Sequence, residues 1–387
     1  MDGQTALIVI DSGFSADSLS RAQKVLGVYD LPSGRKYAAN SPFTGSEAAD
    51  AFAGDALNHG SIVLTRLMEL SPASPVVLIR AFGDDGLIGT SWHGFDSAHR
   101  GGQIKSPGWT EAYLWAVEHC NRLGLNSVAN CSFGGYSHAM DGTGWNSFQL
   151  AKVTGSGKPG HIVVAAAGAG DGRAVHAVWH SLACQTVEVK AYQKDSASYN
   201  FWAGKLPDDD NCRTGRSVWL LIAYKDGQQV FAAHSDSVPP NLWNNRQQQT
   251  FTIEGPGLVT LKLVRFDDSV ACGDQSCAQR FDCWVSGGGA AFLDHVDPDT
   301  VNEPAVFPQV ISVGLRGGSY HRLQELPGYQ PDVLLAGLGP ISFRLPEVVA
   351  ATAAILSQSS QPLDVDGVRK LLGKYPDSRS LATGIRS

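Results

Sequence analysis

The sequence predicts an α/β fold: a parallel sheet flanked by helices, into which an antiparallel β-sandwich is inserted. Three observations lead there. From Thr5 to about Gly172, short near-continuous apolar runs alternate with helical patterns, as strands covered on both faces alternate with crossover helices. From about Arg173 to Asp299 the helical patterns stop and turn-linked strand patterns replace them. Beyond that the first pattern resumes, so residues 1–172 and 300–387 are expected to form one unit around an insert at 173–299.

In the first unit the strands read as Ala6–Ile10, Val76–Ile79, Ser127–Ser132 and Ile162–Ala167. His59–Leu70 has Ile62, Val63 and Leu67 at helical spacing, and Glu111–Cys120 has Leu114 and Val117, so both read as crossover helices. In the insert, Thr186–Tyr192, Trp219–Tyr224, Gln229–Ala233, Phe251–Ile253 and Leu258–Val264 read as strands. Asp226-Gly227 between two of them is a hairpin signal, because both residues tolerate the positive φ that a tight turn demands. In the last segment, Pro308–Gly314 returns to the buried-strand pattern and Pro346–Leu356 reads as a helix of small residues.

At 387 residues the chain is long enough for more than one domain core. Charged residues are 17% of it, against ~25% in ordinary soluble domains, while 43 Gly and 19 Pro imply many turns; disorder and coiled coil are both disfavoured. A net charge of −7 without any Lys/Arg-rich run argues against a nucleic-acid partner. No apolar stretch reaches the ~18 residues of a membrane span, and Met1–Ile10 lacks the charged start and cleavage site of a signal peptide. The expectation is a cytoplasmic protein as written, or a secreted one if a presequence or propeptide has been removed.

Several short segments have the residue types that chemistry requires. Ala6–Gly13 puts Asp11 at the end of a buried strand, where a carboxylate needs a hydrogen-bonding or cationic partner. Asn58–Ser61 puts His59 at the start of a helix. Val128–Gly135 ends a strand in small residues that leave its edge open, and Pro340–Pro346 puts Ser342 just ahead of a helix.

Asp, then His, then Ser along the chain is the order of the subtilisin-type triad, and the chain resembles the subtilisin-like serine peptidases, or subtilases. Val9–Gly13 reproduces that family's V-I-D-S-G, His59–Val63 its H-G-T-x-V with Ser for Thr, and Ser132–Gly135 its S-L-G-G with Phe for Leu. Ser342 and Pro346 keep the serine and proline of G-T-S-x-A-x-P, while Phe307–Gly314 and Gln330–Val333 resemble Y-P-x-V-I-x-V-G and K-P-D-V. The position of the insert resembles that of the jelly-roll insertion in Csp-type subtilases.

The resemblance implies a subtilisin-like sheet and an endopeptidase acting on peptides or proteins. Asp11, His59 and Ser342 would be its catalytic residues, with the Ser342 backbone N–H as an oxyanion donor. Ser132, Phe133, Gly134 and Gly135 would flank the substrate on one side and Ala165, Ala166, Ala167 and Gly168 on the other, with Gly101 and Gly102 as a facing edge. Open glycine walls suggest a large or hydrophobic residue before the scissile bond. No metal or cofactor is needed for the chemistry, although a structural calcium is compatible with it.

Two departures stand out. Ala169 occupies the position of the family's oxyanion asparagine, and losing one such donor typically costs ~10²–10³ in kcat. Pro340-Ile341 replaces Gly-Thr and Arg344 replaces a small residue, which sets a cation near the positive end of a helix unless Glu347 compensates. They leave a second reading open, a catalytically impaired subtilase that binds a peptide or protein as a regulator.

Other residues favour structural roles. Cys212, Cys272, Cys277 and Cys283 lack zinc-knuckle spacing. His176 and His180 stand four apart without an H-E-x-x-H pattern, and Asp208–Asp210 reads as a solvated turn before it reads as a calcium loop. Trp179, Trp202, Trp219, Trp243 and Trp284 are expected in the sandwich core.

Overall fold

The computed structural model describes residues 5–82, 108–135, 139–168, 174–179, 185–204, 218–240, 244–266, 279–294, 301–317, 331–337 and 339–373. The first unit contributes β1 (Thr5–Asp11), β2 (Val25–Asp30), β3 (Arg35–Phe43), β4 (Val76–Arg80), β5 (Asn126–Cys131) and β6 (His161–Ala166). Its helices are α1 (Ala16–Ser20), α2 (Gly45–Phe52), α3 (His59–Leu70), α4 (Trp109–Arg122) and α5 (Trp145–Leu150). The antiparallel segment follows as β7 (Ala174–Trp179), β8 (Gln185–Gln193), β9 (Ala197–Gly204), β10 (Val218–Lys225), β11 (Gln228–His234), β12 (Gln247–Ile253), β13 (Gly257–Phe266), β14 (Gln279–Ser286) and β15 (Ala291–Phe292). The chain closes with β16 (Val310–Leu315), β17 (Val333–Leu335), α6 (Leu345–Gln358) and α7 (Val365–Leu372).

Strands from both ends of the chain build one 8-stranded sheet in the order β17-β16-β6-β5-β1-β4-β2-β3. Every neighbouring pair is parallel except β2/β3. β1 lies inside the sheet and all of its residues are buried. Alternation sorts them by face: Leu7 and Val9 pack with Leu64 and Leu67 of α3 and Val348 of α6, while Ala6, Ile8 and Ile10 pack with Tyr113 and Ala116 of α4. Helices on both faces explain why the strands read as unbroken apolar runs.

Between β6 and β16 the chain forms two antiparallel sheets, β11-β10-β13-β8-β15 and β12-β9-β14-β7. They share a core that includes Val189, Tyr199, Phe201, Leu221, Leu261 and Phe281. The Asp226-Gly227 turn joins β10 to β11 with both residues at positive φ. The boundaries expected at 172/173 and 299/300 fall outside the described residues.

Among the strands, the sequence-based expectations miss β2, β3, β7, β9, β14, β15 and β17. β9 and β14 have buried polar residues, Asn200 and Asp282, that break the apolar pattern. The tryptophans also divide: Trp219 belongs to the sandwich core, whereas Trp202 and Trp284 pack outside it against Ala139 and Met140 of the first unit. There Arg246 is fully buried and pairs with Asp141 at 3.0 Å and with Asp282, and its guanidinium lies over the Trp202 ring. Against the cost of burial, the two carboxylates hold Arg246 firmly charged. His176 lies on β7 opposite Asp282. Cys283 is a buried free thiol, while Cys212, Cys272, Cys277, His180, Asp208–Asp210 and Trp243 lie outside the described residues. No helix among the described residues is long and apolar enough to cross a membrane.

Candidate active site

β1 delivers Asp11 to the carboxyl edge of the parallel sheet, where ligand sites of open α/β sheets form. Its Oδ1 accepts from the Ser12 N–H at 2.8 Å and lies 2.6 Å from His59 Nδ1. Oδ2 is buried with no partner among the described residues. Burial pushes the Asp11 carboxyl upward, opposed by the hydrogen bonds from His59 and Ser12.

His59 opens α3. Asn58 before it adopts φ 56°, a left-handed conformation that asparagine tolerates, and supplies no side-chain cap. Asp55 caps in its place: Oδ2 accepts from the Ser61 N–H at 2.8 Å and the Ser61 hydroxyl at 2.6 Å, and Oδ1 accepts from the Ser12 hydroxyl at 2.7 Å. The Ser12 oxygen in turn accepts from the Gly60 N–H at 3.0 Å. Gly60 is required at this crossing, since a Cβ there would stand 2.3 Å from the Gly13 carbonyl oxygen and 2.9 Å from Asp11 Cβ. This network ties the end of β1 to the start of α3 and aims the imidazole at Asp11. The hydrogen bond to Asp11 raises the His59 pKa above its ordinary 6.5, against burial, with the charges of Asp11 and Asp55 adding to the rise.

Ser342 sits in a single 3₁₀ turn, Ile341–Phe343, ahead of α6. Its hydroxyl donates to the Ser132 carbonyl at 2.9 Å, and the Ser132 hydroxyl donates to the Ser342 carbonyl at 2.9 Å. Asn130 Nδ2 donates to Ser132 Oγ at 2.9 Å. The Phe343 ring packs on the imidazole of His59 with centroids 5.4 Å apart. Asp11 and His59 are thus in direct contact and the serine segment lies beside them, while among the described residues the Ser342 hydroxyl bonds to Ser132 and not to His59. Arg344 is neutralised as expected: Glu347 accepts from its Nε at 2.8 Å, and the Ala336 carbonyl accepts from another guanidinium nitrogen at 2.9 Å.

The expected substrate edges separate into distinct roles. Phe133 turns toward the core, edge-on to Phe82 and Trp109. Gly135 exchanges backbone hydrogen bonds with Glu303 at 3.2 and 3.3 Å, so its N–H is already engaged. Ala165 and Ala166 are paired within the sheet with Ser312 and Val313. Ala167 is also engaged, its N–H donating to the Val313 carbonyl at 2.8 Å, which leaves Ser132, Gly134 and Gly168 of the expected edges. Ala169, Gly101 and Gly102 lie outside the described residues.

The sequence reading passed over two residues that stand at this site. Asp55, four positions before His59, had only a helix-cap spacing to announce it. Asn302 had only the turn-like Val301–Pro304 run, yet its side chain lies against both Gly134 and Gly168.

The chain matches no protein-family profile and no curated relative. Its fold does match a solved structure, the CspB protease of Clostridium perfringens. The TM-score is 0.65 and the identity 13%, over 96% of this chain and 89% of that one. The protein therefore has a subtilase-like α/β fold. A family 35 carbohydrate-binding module from an environmental isolate overlaps 42% of this chain and 87% of its own, at 17% identity and a TM-score of only 0.17.

Proposed function

We propose that this protein is a subtilisin-like serine peptidase that cleaves peptide bonds within a chain through Asp11, His59 and Ser342. The main support is the 2.6 Å pairing of Asp11 Oδ1 with His59 Nδ1 at the carboxyl edge of the sheet. That bond leaves Nε2 as the free nitrogen of the ring, and a raised His59 pKa suits a base that accepts a proton near neutrality. A protease with the same fold adds support for peptide substrates.

In this mechanism an extended peptide lies along the open edge at Ser132 and offers its N–H to the Ser132 carbonyl, as strand addition requires. The Ser342 hydroxyl, which donates to that same carbonyl, is displaced and turns toward His59. Its Oγ attacks the scissile carbonyl as His59 takes the proton and Asp11 stabilises the imidazolium. The tetrahedral adduct collapses with proton transfer to the leaving amine. Water then attacks the acyl-enzyme with His59 again as base, releasing the acid and restoring Ser342. The backbone N–H of Ser342 serves as oxyanion donor, and alanine at position 169 leaves the site short of a side-chain donor, so turnover is slow.

The Ser342–Ser132 bond also favours a second reading, an impaired subtilase that holds a peptide or protein as a regulator. Labelling with a fluorophosphonate decides between them. Wild type is expected to label and Ser342→Ala to stay blank; equal labelling of both removes Ser342 from the mechanism, and a blank wild type favours the regulator.

A further inference from the structure

At the ends of Ser132–Gly135 and Ala165–Gly168, Gly134 and Gly168 both face the carboxamide of Asn302. A Cβ at Gly134 would stand 2.2 Å from Asn302 Nδ2 and 2.4 Å from its Cγ and Oδ1, and one at Gly168 would stand 3.0 Å from Nδ2. A side chain at Gly134 would collide with this carboxamide, and at Gly168, where φ is +86°, the approach is tighter than ordinary contact. The main chain holds it there: the Asn302 N–H donates to the Ala167 carbonyl at 3.4 Å and the next residue, Glu303, bridges to Gly135. Asn302 is only 8% exposed, yet Oδ1 has no hydrogen-bond partner among the described residues. A buried acceptor left unpaired beside Gly134 and Gly168 calls for a donor.

We propose that Asn302 is the specificity-determining residue of the slot beside Gly134 and Gly168. It restricts the residue before the scissile bond to a small side chain and favours serine, whose hydroxyl donates to Oδ1. This replaces the large or hydrophobic residue that the glycine walls alone suggest, and it rests on the peptidase reading only for the word scissile. One methylene too many in a closed pocket typically shifts selectivity by ~10–200-fold, so phenylalanine should be excluded by about 100-fold relative to alanine. A net hydrogen bond favours serine over alanine by about fivefold.

The test uses two series that differ only in one residue, X being serine, alanine, leucine or phenylalanine. N-acyl tetrapeptide nitroanilides ending in X measure hydrolysis, and the corresponding free acids measure binding to the Ser342→Ala protein by calorimetry. Hydrolysis by wild type and binding by the Ser342→Ala protein are both expected to prefer serine, then alanine. Asn302→Gly should raise the phenylalanine-to-alanine ratio by about 100-fold, whereas Asn302→Leu should keep large residues out and erase the serine advantage. Thermal unfolding confirms that each variant is folded. The binding order without hydrolysis in wild type upholds the slot and sinks the peptidase reading. Hydrolysis that accepts phenylalanine as readily as alanine, or ratios unchanged in Asn302→Gly, overturns the role of Asn302 and leaves the peptidase standing. Absence of binding and of hydrolysis for every X overturns both.

Discussion

The Asp11–His59 pair and the Asp141–Arg246–Asp282 cluster are both contacts between a basic group and carboxylates, yet they differ in access to water and in the proton chemistry open to them. The side chains of Asp141, Arg246 and Asp282 are all 0% exposed, and each end of the guanidinium meets a carboxylate. An arginine so placed stays charged and moves no proton. Asp11 is equally buried at 1%, but the His59 side chain is 30% exposed. The hydrogen bond to Asp11 raises the His59 pKa above the ordinary 6.5. One cluster joins the sheet that contains β14 to the bend that carries Asp141, and the other is the pair that the proposed mechanism uses. Residue type and a single open face separate a structural ion cluster from a catalytic candidate.

That contrast can be broken by substitution. The largest effect is expected from Asp11→Asn, which keeps the shape but presents the wrong hydrogen-bonding partner to His59: kcat/KM on a chromogenic peptide should fall by about 10⁴. Its melting temperature should hold or rise, because burial disfavours the Asp11 charge that asparagine removes. Arg246→Met should do the reverse. Removing one member of a buried ion cluster costs about 3–5 kcal/mol, so urea unfolding should shift strongly while the rate per folded molecule stays within a few-fold. A variant that loses activity but not stability would mean the junction controls the site.

Within the reactive half, Ala169→Asn is expected to raise kcat by ~10²–10³, by restoring a side-chain donor to the oxyanion. An unchanged kcat would show that another group already fills that role. The smallest effect concerns pH. A general base must be neutral, so kcat/KM should rise with pH through the His59 value, on a limb centred above 6.5. In Asp11→Asn the largest cause of the rise is gone and the limb should move toward acid. A limb unmoved in that variant would detach His59 from the profile.

Much of this was legible in the chain. The buried strands β1, β4, β5 and β6 were readable because helices cover both faces of their sheet, so apolar runs are unbroken. α3 was readable to the residue because its apolar spacing begins just after the Asn-His-Gly start. β9 and β14 were hidden because Asn200 and Asp282 interrupt their pattern, and Asp282 is buried alongside Arg246, a partner 36 positions away. Trp202 and Trp284 looked like core and are junction, since alternation along a strand says which residues share a face but not what covers it.

By itself the sequence determined the class of fold and the order in which Asp11, His59 and Ser342 arrive, because strand burial and tight motif glycines are local demands on side-chain size and backbone shape. Tertiary structure alone decided that Ser342 bonds to Ser132, 210 positions away, that Arg246 bonds to Asp141 across 105, and that Asn302 lies against both Gly134 and Gly168. Such contacts leave no periodicity in the chain. They exist only once the sheet has brought remote strand ends to one edge, where distance and burial, rather than neighbours in sequence, set what each group can do.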